Sequence, residues 1–191
     1  SFAGTWTHSS DGAKPNGIDA YANTHISPLN NLTLYSASFG YYSREDIAEA
    51  GMDMGAYTDT TNYPALILNC KYTDNKGRLY CYNAYTTSDQ ALSGAGIISK
   101  GLIIGTRTAN NVVKIFYRGV QSGTTNTTTA LNTTTSFNIY IGAVNFKGTA
   151  ASFTTKQCAM SFIGDGLTDS DVVNIYRIVH YFQKGLGREV Y

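Results

Sequence analysis

Residues 163–188 read IGDGLTDSDVVNIYRIVHYFQKGLGR. Gly164 and Gly166 make a flexible turn, and Thr168 follows as a good helix N-cap with Asp171 three residues on, an Asp version of the capping box. Val172, Ile175, Tyr176, Val179, Phe182 and Leu186 then recur at helical spacing, and Gly185 or Gly187 can stop the helix. The stretch therefore predicts one amphipathic helix over 168–187, with Val172, Ile175, Val179 and Phe182 as its buried stripe. Upstream, the chain is built of short strand-like runs separated by turn signals. The helix closes an otherwise β-rich sequence.

The same residues resemble a C-terminal module of bacteriophage virion proteins with a concanavalin-A-like (laminin-G-like) jelly-roll fold. Members end in a GDGLTD…LGR helix. They carry an NIYIGA strand, here Asn138 to Ala143, a YYSR stretch, here Tyr41 to Arg44, and a YTDN turn, here Tyr72 to Asn75. The resemblance runs from about Leu32 to Arg188. It implies an all-β sandwich of antiparallel sheets with a C-terminal α-helix, in a phage tail or receptor-binding protein. These motifs are turns, strands and a cap, so they speak to fold and virion setting more than to ligand.

The length of 191 residues suits one sandwich domain over 1–191. Only 14% of residues are charged and the net charge is +1. That argues against nucleic-acid binding, which needs a basic patch. No run of eighteen apolar residues occurs, so no membrane insertion is expected. Starting at Ser1 with no leader pattern, the chain reads as a fragment or the terminal domain of a longer protein. Cys70, Cys81 and Cys158 all lie in strand-like runs and read as buried, reduced thiols.

Residues 1–27 are polar and turn-rich, an irregular lead-in. Leu32 to Tyr42 reads as strand. Residues 44–54 read as a short helix capped by Ser43, or else as a surface loop. Residues 65–72 and 78–83 flank Asp74-Asn75-Lys76-Gly77, a hairpin turn. A second hairpin runs from Gly101 through Thr108-Ala109-Asn110-Asn111 to Val120. Eight of the twelve residues from Thr124 to Thr135 are threonine, an extended edge or a disordered loop. The last strands are 138–144 and 158–163.

The chain holds 15 tyrosines. Tyr combines a flat apolar body with a polar tip, which suits sugar and protein surfaces alike. In the first hairpin, strand alternation puts Leu66, Leu68, Cys70, Tyr72, Leu79 and Cys81 on the core face. Asn69, Lys71, Tyr80 and Tyr82 share the opposite face and are the first candidates for ligand binding. Tyr41, Tyr42 and Arg44 are the second.

Glu45, Asp46, Glu49 and Asp53 cluster in sequence. Some jelly-roll glycosidases use an E-x-D-x-x-E strand, and the spacing here does not match it. No nucleophile, metalloprotease or P-loop motif occurs, so no enzyme activity is expected. No cofactor or metal is expected either. Laminin-G-like folds often bind calcium, and Asp165 and Asp169 flank a glycine turn, but Asp169 is better explained by the helix N-terminus. The functional expectation is non-catalytic attachment of a virion to a bacterial surface polysaccharide or host receptor, with a homotrimer for avidity and other virion proteins as neighbours. A structural virion decoration is the alternative, and a polysaccharide depolymerase the second alternative.

Overall fold

The computed structural model describes residues 1–58 and 64–190. Along the chain run β1 (Phe2–Ala3), β2 (Trp6–Ser9), β3 (Gly12–Pro15), β4 (Tyr21–Asn23), α1 (Pro28–Asn31), β5 (Ala37–Ser43), β6 (Met54–Tyr57), β7 (Pro64–Asn69) and β8 (Arg78–Ala84). After them come β9 (Ala91–Leu92), β10 (Gly101–Ala109), β11 (Val112–Tyr117), β12 (Val120–Gln121), β13 (Tyr140–Ile141), β14 (Val144–Phe146), β15 (Thr149–Ala151), β16 (Cys158–Gly164) and α2 (Asp169–Gly185).

The strands form two sheets. The first has the order β1-β4-β13-β6-β7-β8-β9, with β14 and β15 attached beside β6; the second has the order β12-β11-β10-β5-β16-β3-β2. Pairing is antiparallel except between β14 and β6. The expected all-β sandwich with one C-terminal helix is the fold observed. Residues 1–27 are not an irregular lead-in, because β1 and β4 extend the first sheet while β2 and β3 extend the second.

Alternation assigns the layers. Phe39, Tyr41, Ile103, Val113, Ile115 and Tyr117 point inward from the second sheet and meet Met54, Leu66, Leu68, Leu79 and Cys81 of the first. Their neighbours Tyr42, Leu102, Ile104 and Phe116 point outward and are covered by Val172 and Val179 of α2. The second sheet is thus buried on both faces, which is why every residue of β5 is buried. The sheets approach closely at Gly105, where a Cβ would lie 2.4 Å from Leu79 Cδ1.

Helix α2 begins as read. The Thr168 side chain accepts from the Asp171 amide, and the Asp171 carboxylate accepts from the Thr168 amide. Of the expected stripe, Val172 and Val179 are buried and Ile175 is partly buried. Each buried valine stabilises the docked helix by about 1.5–3 kcal/mol. Phe182 is a correction, being 55% exposed, while Gln183 takes the buried position in the last turn.

Residues 44–53 form no helix. The segment runs as a loop tied by backbone bonds from Glu49 to Lys71, from Met52 to Ser152 and from Asp53 to Leu68. The Thr-rich connection forms no strand of its own, only an isolated bridge between Val113 and Asn126. It is held instead by Ala130 N donating to Asn110 O and Leu131 N to Tyr82 O.

All three cysteines are free. Cys70 and Cys81 have no exposed surface, and burial pushes the Cys81 thiol up to about 12. Since the thiolate is the reactive form, a maleimide added to native protein should leave both unmodified over hours. Partly exposed Cys158 should label first. Fast modification of Cys70 or Cys81 in folded protein would contradict the core assignment.

Candidate functional site

The outer face of the first sheet carries a connected group of four aromatic rings, Tyr57, Tyr80, Tyr85 and Phe146. Ala65 and Ile67 of β7, Tyr80 of β8 and Val144 of β14 point outward and pack with Met52, and Tyr57, Tyr85 and Ala151 lie against them. Tyr80 is the floor, only 4% exposed, and its hydroxyl donates to Gln90 Oε1 at 2.9 Å. Tyr85 lies 4.8 Å from Tyr80 and 4.8 Å from Tyr57, centroid to centroid. Tyr57 in turn stacks on Phe146 at 4.6 Å, because the two are direct partners in the β6–β14 register. Tyr57, Tyr85 and Phe146 are only partly buried, so parts of three rings remain open to solvent.

Polar groups frame the rings. The Lys147 ammonium lies 5.3 Å from the Phe146 centroid. On the β7–β8 hairpin, the Arg78 guanidinium sits 3.6 Å over the Tyr72 ring and pairs with Asp74 at 3.0 Å. Thr58 donates to the Thr135 hydroxyl at 2.9 Å, and Thr86 to Asp89 at 2.7 Å. Burial pushes the Tyr57 and Tyr85 hydroxyls above their ordinary range, helped at Tyr85 by Tyr57 and Tyr72. Both therefore stay protonated donors at neutral pH. Flat apolar rings beside fixed donors and acceptors can stack on the C–H face of a sugar while bonding its hydroxyls.

The sequence located this face and missed most of its residues. Of Asn69, Lys71, Tyr80 and Tyr82, only Tyr80 belongs to the aromatic group, and it lies beneath it. Asn69 is fully buried and donates to the Gly51 carbonyl. Lys71 is paired with Asp46 at 2.9 Å, as the 44–53 loop lies over that end of the hairpin. Tyr82 is turned inward. A bulge places it opposite no partner between the Leu66–Cys81 and Ala65–Asn83 pairs, at φ 62°, and its ring joins the inter-sheet core.

The second candidates are also corrected. Tyr41 is buried between the sheets, its hydroxyl donating to Lys156 O at 2.8 Å. Tyr42 is buried beneath α2. Arg44 pairs with Asp11 at 3.2 Å. Tyr57 escaped because Met54-Gly55-Ala56-Tyr57 contains Gly and Ala, which are poor strand formers. Tyr85 lies beyond the bulge, where simple alternation no longer tells inside from outside.

Each acid of the cluster is engaged by other parts of the chain. Glu45 pairs with Lys14 and accepts from the Gln157 amide. Asp46 accepts from Lys71 and from the Ser99 amide, both at 2.9 Å. Glu49 accepts from Lys156, Thr154 and Thr155. Asp53 accepts from Lys156, Thr154 and the Cys70 amide. Asp169 pairs with Lys114 at 2.8 Å. Among the described residues no group of three or more His, Cys, Asp and Glu side chains could hold a metal ion.

At Asp46 burial pushes the carboxyl up, but Lys71 and Ser99 outweigh it and hold it below its ordinary range. At Glu49 burial also raises, and Lys156, Thr154 and Thr155 outweigh it. A depressed folded pKa contributes stability above the unfolded value of about 4, and that stability is lost as pH falls through the folded value. Melting temperature should therefore drop steeply below about pH 4. Asp46→Asn should lower it at neutral pH and flatten that acid limb. An unchanged limb would contradict the assignment.

A second aromatic group lies at an open edge between the sheets. Phe2 and Trp6 meet edge to face at 5.0 Å, and Trp6 stacks with His8 at 6.4 Å. Phe2 and Trp6 border a cavity of about 160 Å³ with Ile141, Cys158 and Met160. It offers few polar groups, so the outer face is the better candidate for a sugar.

No protein-family model matches the sequence, and no curated protein does. Solved structures do. Domain 4 of AbnA, a GH43 extracellular arabinanase from Geobacillus stearothermophilus, in complex with arabinotriose, is 16% identical with a TM-score of 0.58, over 91% of this chain and 82% of that one. The Ruminococcus gnavus IT-sialidase CBM40 bound to α2,3-sialyllactose is 14% identical with a TM-score of 0.52, over 74% and 81%. A mutant NanB sialidase from Streptococcus pneumoniae is 11% identical with a TM-score of 0.56; 84% of this chain aligns with 26% of that one. At these identities the likeness is one of fold: the chain is a two-sheet β-sandwich of the architecture found in carbohydrate-binding modules.

Proposed function

We propose that this domain is a receptor-binding module of a bacteriophage virion, attaching to a bacterial surface glycan without catalysis. The observation that carries the glycan reading is the partly exposed group of Tyr57, Tyr85 and Phe146, with Lys147 beside it. Two of the structurally similar proteins hold arabinotriose and sialyllactose, which supports the same use of this sandwich. The GDGLTD…LGR helix and the YYSR, YTDN and NIYIGA stretches support the virion setting. Engagement of the acidic cluster by lysines, threonines and backbone amides supports the absence of catalysis. Single sugar contacts are weak, so a homotrimer would supply avidity.

The second reading is a structural virion domain. One observation favours it: Ile178, Tyr181 and Phe182 of α2 and Leu186 at its C-cap expose apolar surface, a face suited to a protein neighbour. A bacterial glycan array probed with the purified protein separates the two. Retention on a subset of glycans supports attachment. No retention, at any protein concentration or oligomeric state, supports the structural reading. Release of oligosaccharide from a bound glycan would instead reveal a depolymerase.

A further inference from the structure

We infer that Lys156 and Asp53 form an intramolecular amide cross-link between the two sheets, with Glu49 as the proton carrier. The inference is independent of the glycan reading. Lys156 and Asp53 are both 0% exposed. The Lys156 Nζ lies 3.3 Å from each Asp53 carboxylate oxygen and 3.1 Å from Glu49 Oε1. These are ion-pair contacts, and they hold the nitrogen beside the Asp53 carboxyl carbon by the fold and not by diffusion.

The charge balance favours condensation. One ammonium and two carboxylates share a largely buried site, and buried charges are costly even when paired. Forming the amide removes the Lys156 and Asp53 charges together. Glu49 loses its lysine partner but keeps donors from Thr154, the Thr155 hydroxyl and the Thr155 amide, and 17% of its side chain reaches solvent.

The surrounding groups fit the reaction. The Cys70 amide donates to Asp53 Oδ2 at 2.6 Å, where it would stabilise negative charge developing on that oxygen during attack. Thr154 Oγ1 bonds both Glu49 and Asp53 Oδ1, fixing the two carboxylates relative to each other. In the step itself, one ammonium proton passes to the Asp53 carboxylate, giving a neutral amine and a neutral acid. The amine lone pair attacks Cγ of Asp53. Glu49 takes a second proton from nitrogen and delivers it to the leaving hydroxyl. The C–O bond breaks, one water leaves, nitrogen keeps one hydrogen, and Glu49 returns to its carboxylate. No oxidant or further reactant is needed.

The bond would join residues 103 positions apart. Asp53 directly precedes β6 of the first sheet and Lys156 lies two residues before β16 of the second. A covalent tie there resists separation of the sheets, a useful property in a protein under mechanical load.

The test is the intact mass of the purified protein, denatured and reduced after incubation at neutral pH. The expected mass is lower than that of the sequence by one water. Tryptic digestion should then give a branched species joining 45–71 to 148–177, uncut after Lys156. Lys156→Arg and Asp53→Ala should restore the sequence mass, and Glu49→Gln should do so while keeping the cooperative melt of a folded protein. Folded wild-type protein at its sequence mass, with 148–156 released as a separate peptide, would overturn the inference. So would a water loss that survives Lys156→Arg. Full cross-linking in Glu49→Gln would overturn the role given to Glu49.

Discussion

Lys156→Met should destabilise the domain by about 3–5 kcal/mol, read as a shift of the chemical-denaturation midpoint. Lys156 has no exposed surface and faces Asp53, which has none either. Whether their contact is ionic or covalent, losing the lysine leaves Asp53 buried without a counter-charge. Methionine fills similar volume, so packing loss contributes little. The partner groups cannot turn to water, because Thr154 and the Cys70 amide hold Asp53 from other sides. Lys156→Met together with Asp53→Leu should recover the part of the loss that comes from the unpaired buried charge, since a buried ion pair replaced whole by apolar side chains is often neutral, and should not recover the part that comes from the lost cross-link. A double variant no better than the single one would show that the cost lies in packing or in the cross-link and not in the stranded charge.

Arg107→Leu should cost about as much, roughly 3–5 kcal/mol. Arg107 is the largest fully buried side chain among the described residues. Its Nε donates to Cys81 O at 2.5 Å and an Nη to Asn83 Oδ1 at 2.7 Å. The other Nη donates to Ala109 O and Asn110 O. It thus binds the middle of β8, the β10–β11 turn and, through Thr128 O at 3.5 Å, the Thr-rich connection. Leucine would leave these carbonyls without their donor. The loss should be uneven: amide exchange over 124–131 should quicken more than over β5, because that connection has little regular pairing of its own. Uniform exchange and an unchanged midpoint would contradict this account.

These buried charges also show where sequence reading stops. Turns and caps are local, so the Asp74–Gly77 hairpin, the Asn110–Asn111 hairpin and the Thr168–Asp171 box were legible. The 44–54 segment was not. Its apolar spacing suggests a helix turn, but its acids are held by Lys14, Lys71 and Lys156, which lie 31, 25 and more than 100 residues away. Tertiary pairing of that range overrides local spacing and holds the loop extended. Tyr82 shows a second limit. Period-two alternation puts it outside, and one extra residue at the bulge turns it in. Phe182 shows a third: helical periodicity identifies a stripe, but only the sheet beneath decides how many turns it covers. The candidate face was legible as a face because Leu66, Leu68, Leu79 and Cys81 alternate cleanly. Its exposed rings come from Tyr57, Tyr85 and Phe146 on three separated segments, which pairing alone brings together.

The most direct measurement of the attachment claim is adsorption of the purified protein to host cells or immobilised surface polysaccharide, comparing wild type with Tyr57→Ala/Tyr85→Ala. Each lost stacking ring is worth about 1 kcal/mol, so the double variant should bind about 30-fold more weakly per site, with circular dichroism unchanged. Trp6→Ala, at the distant open edge, should bind as wild type. Unchanged adsorption by the double variant, or a loss confined to Trp6→Ala, would contradict the placement of the glycan on the outer aromatic face.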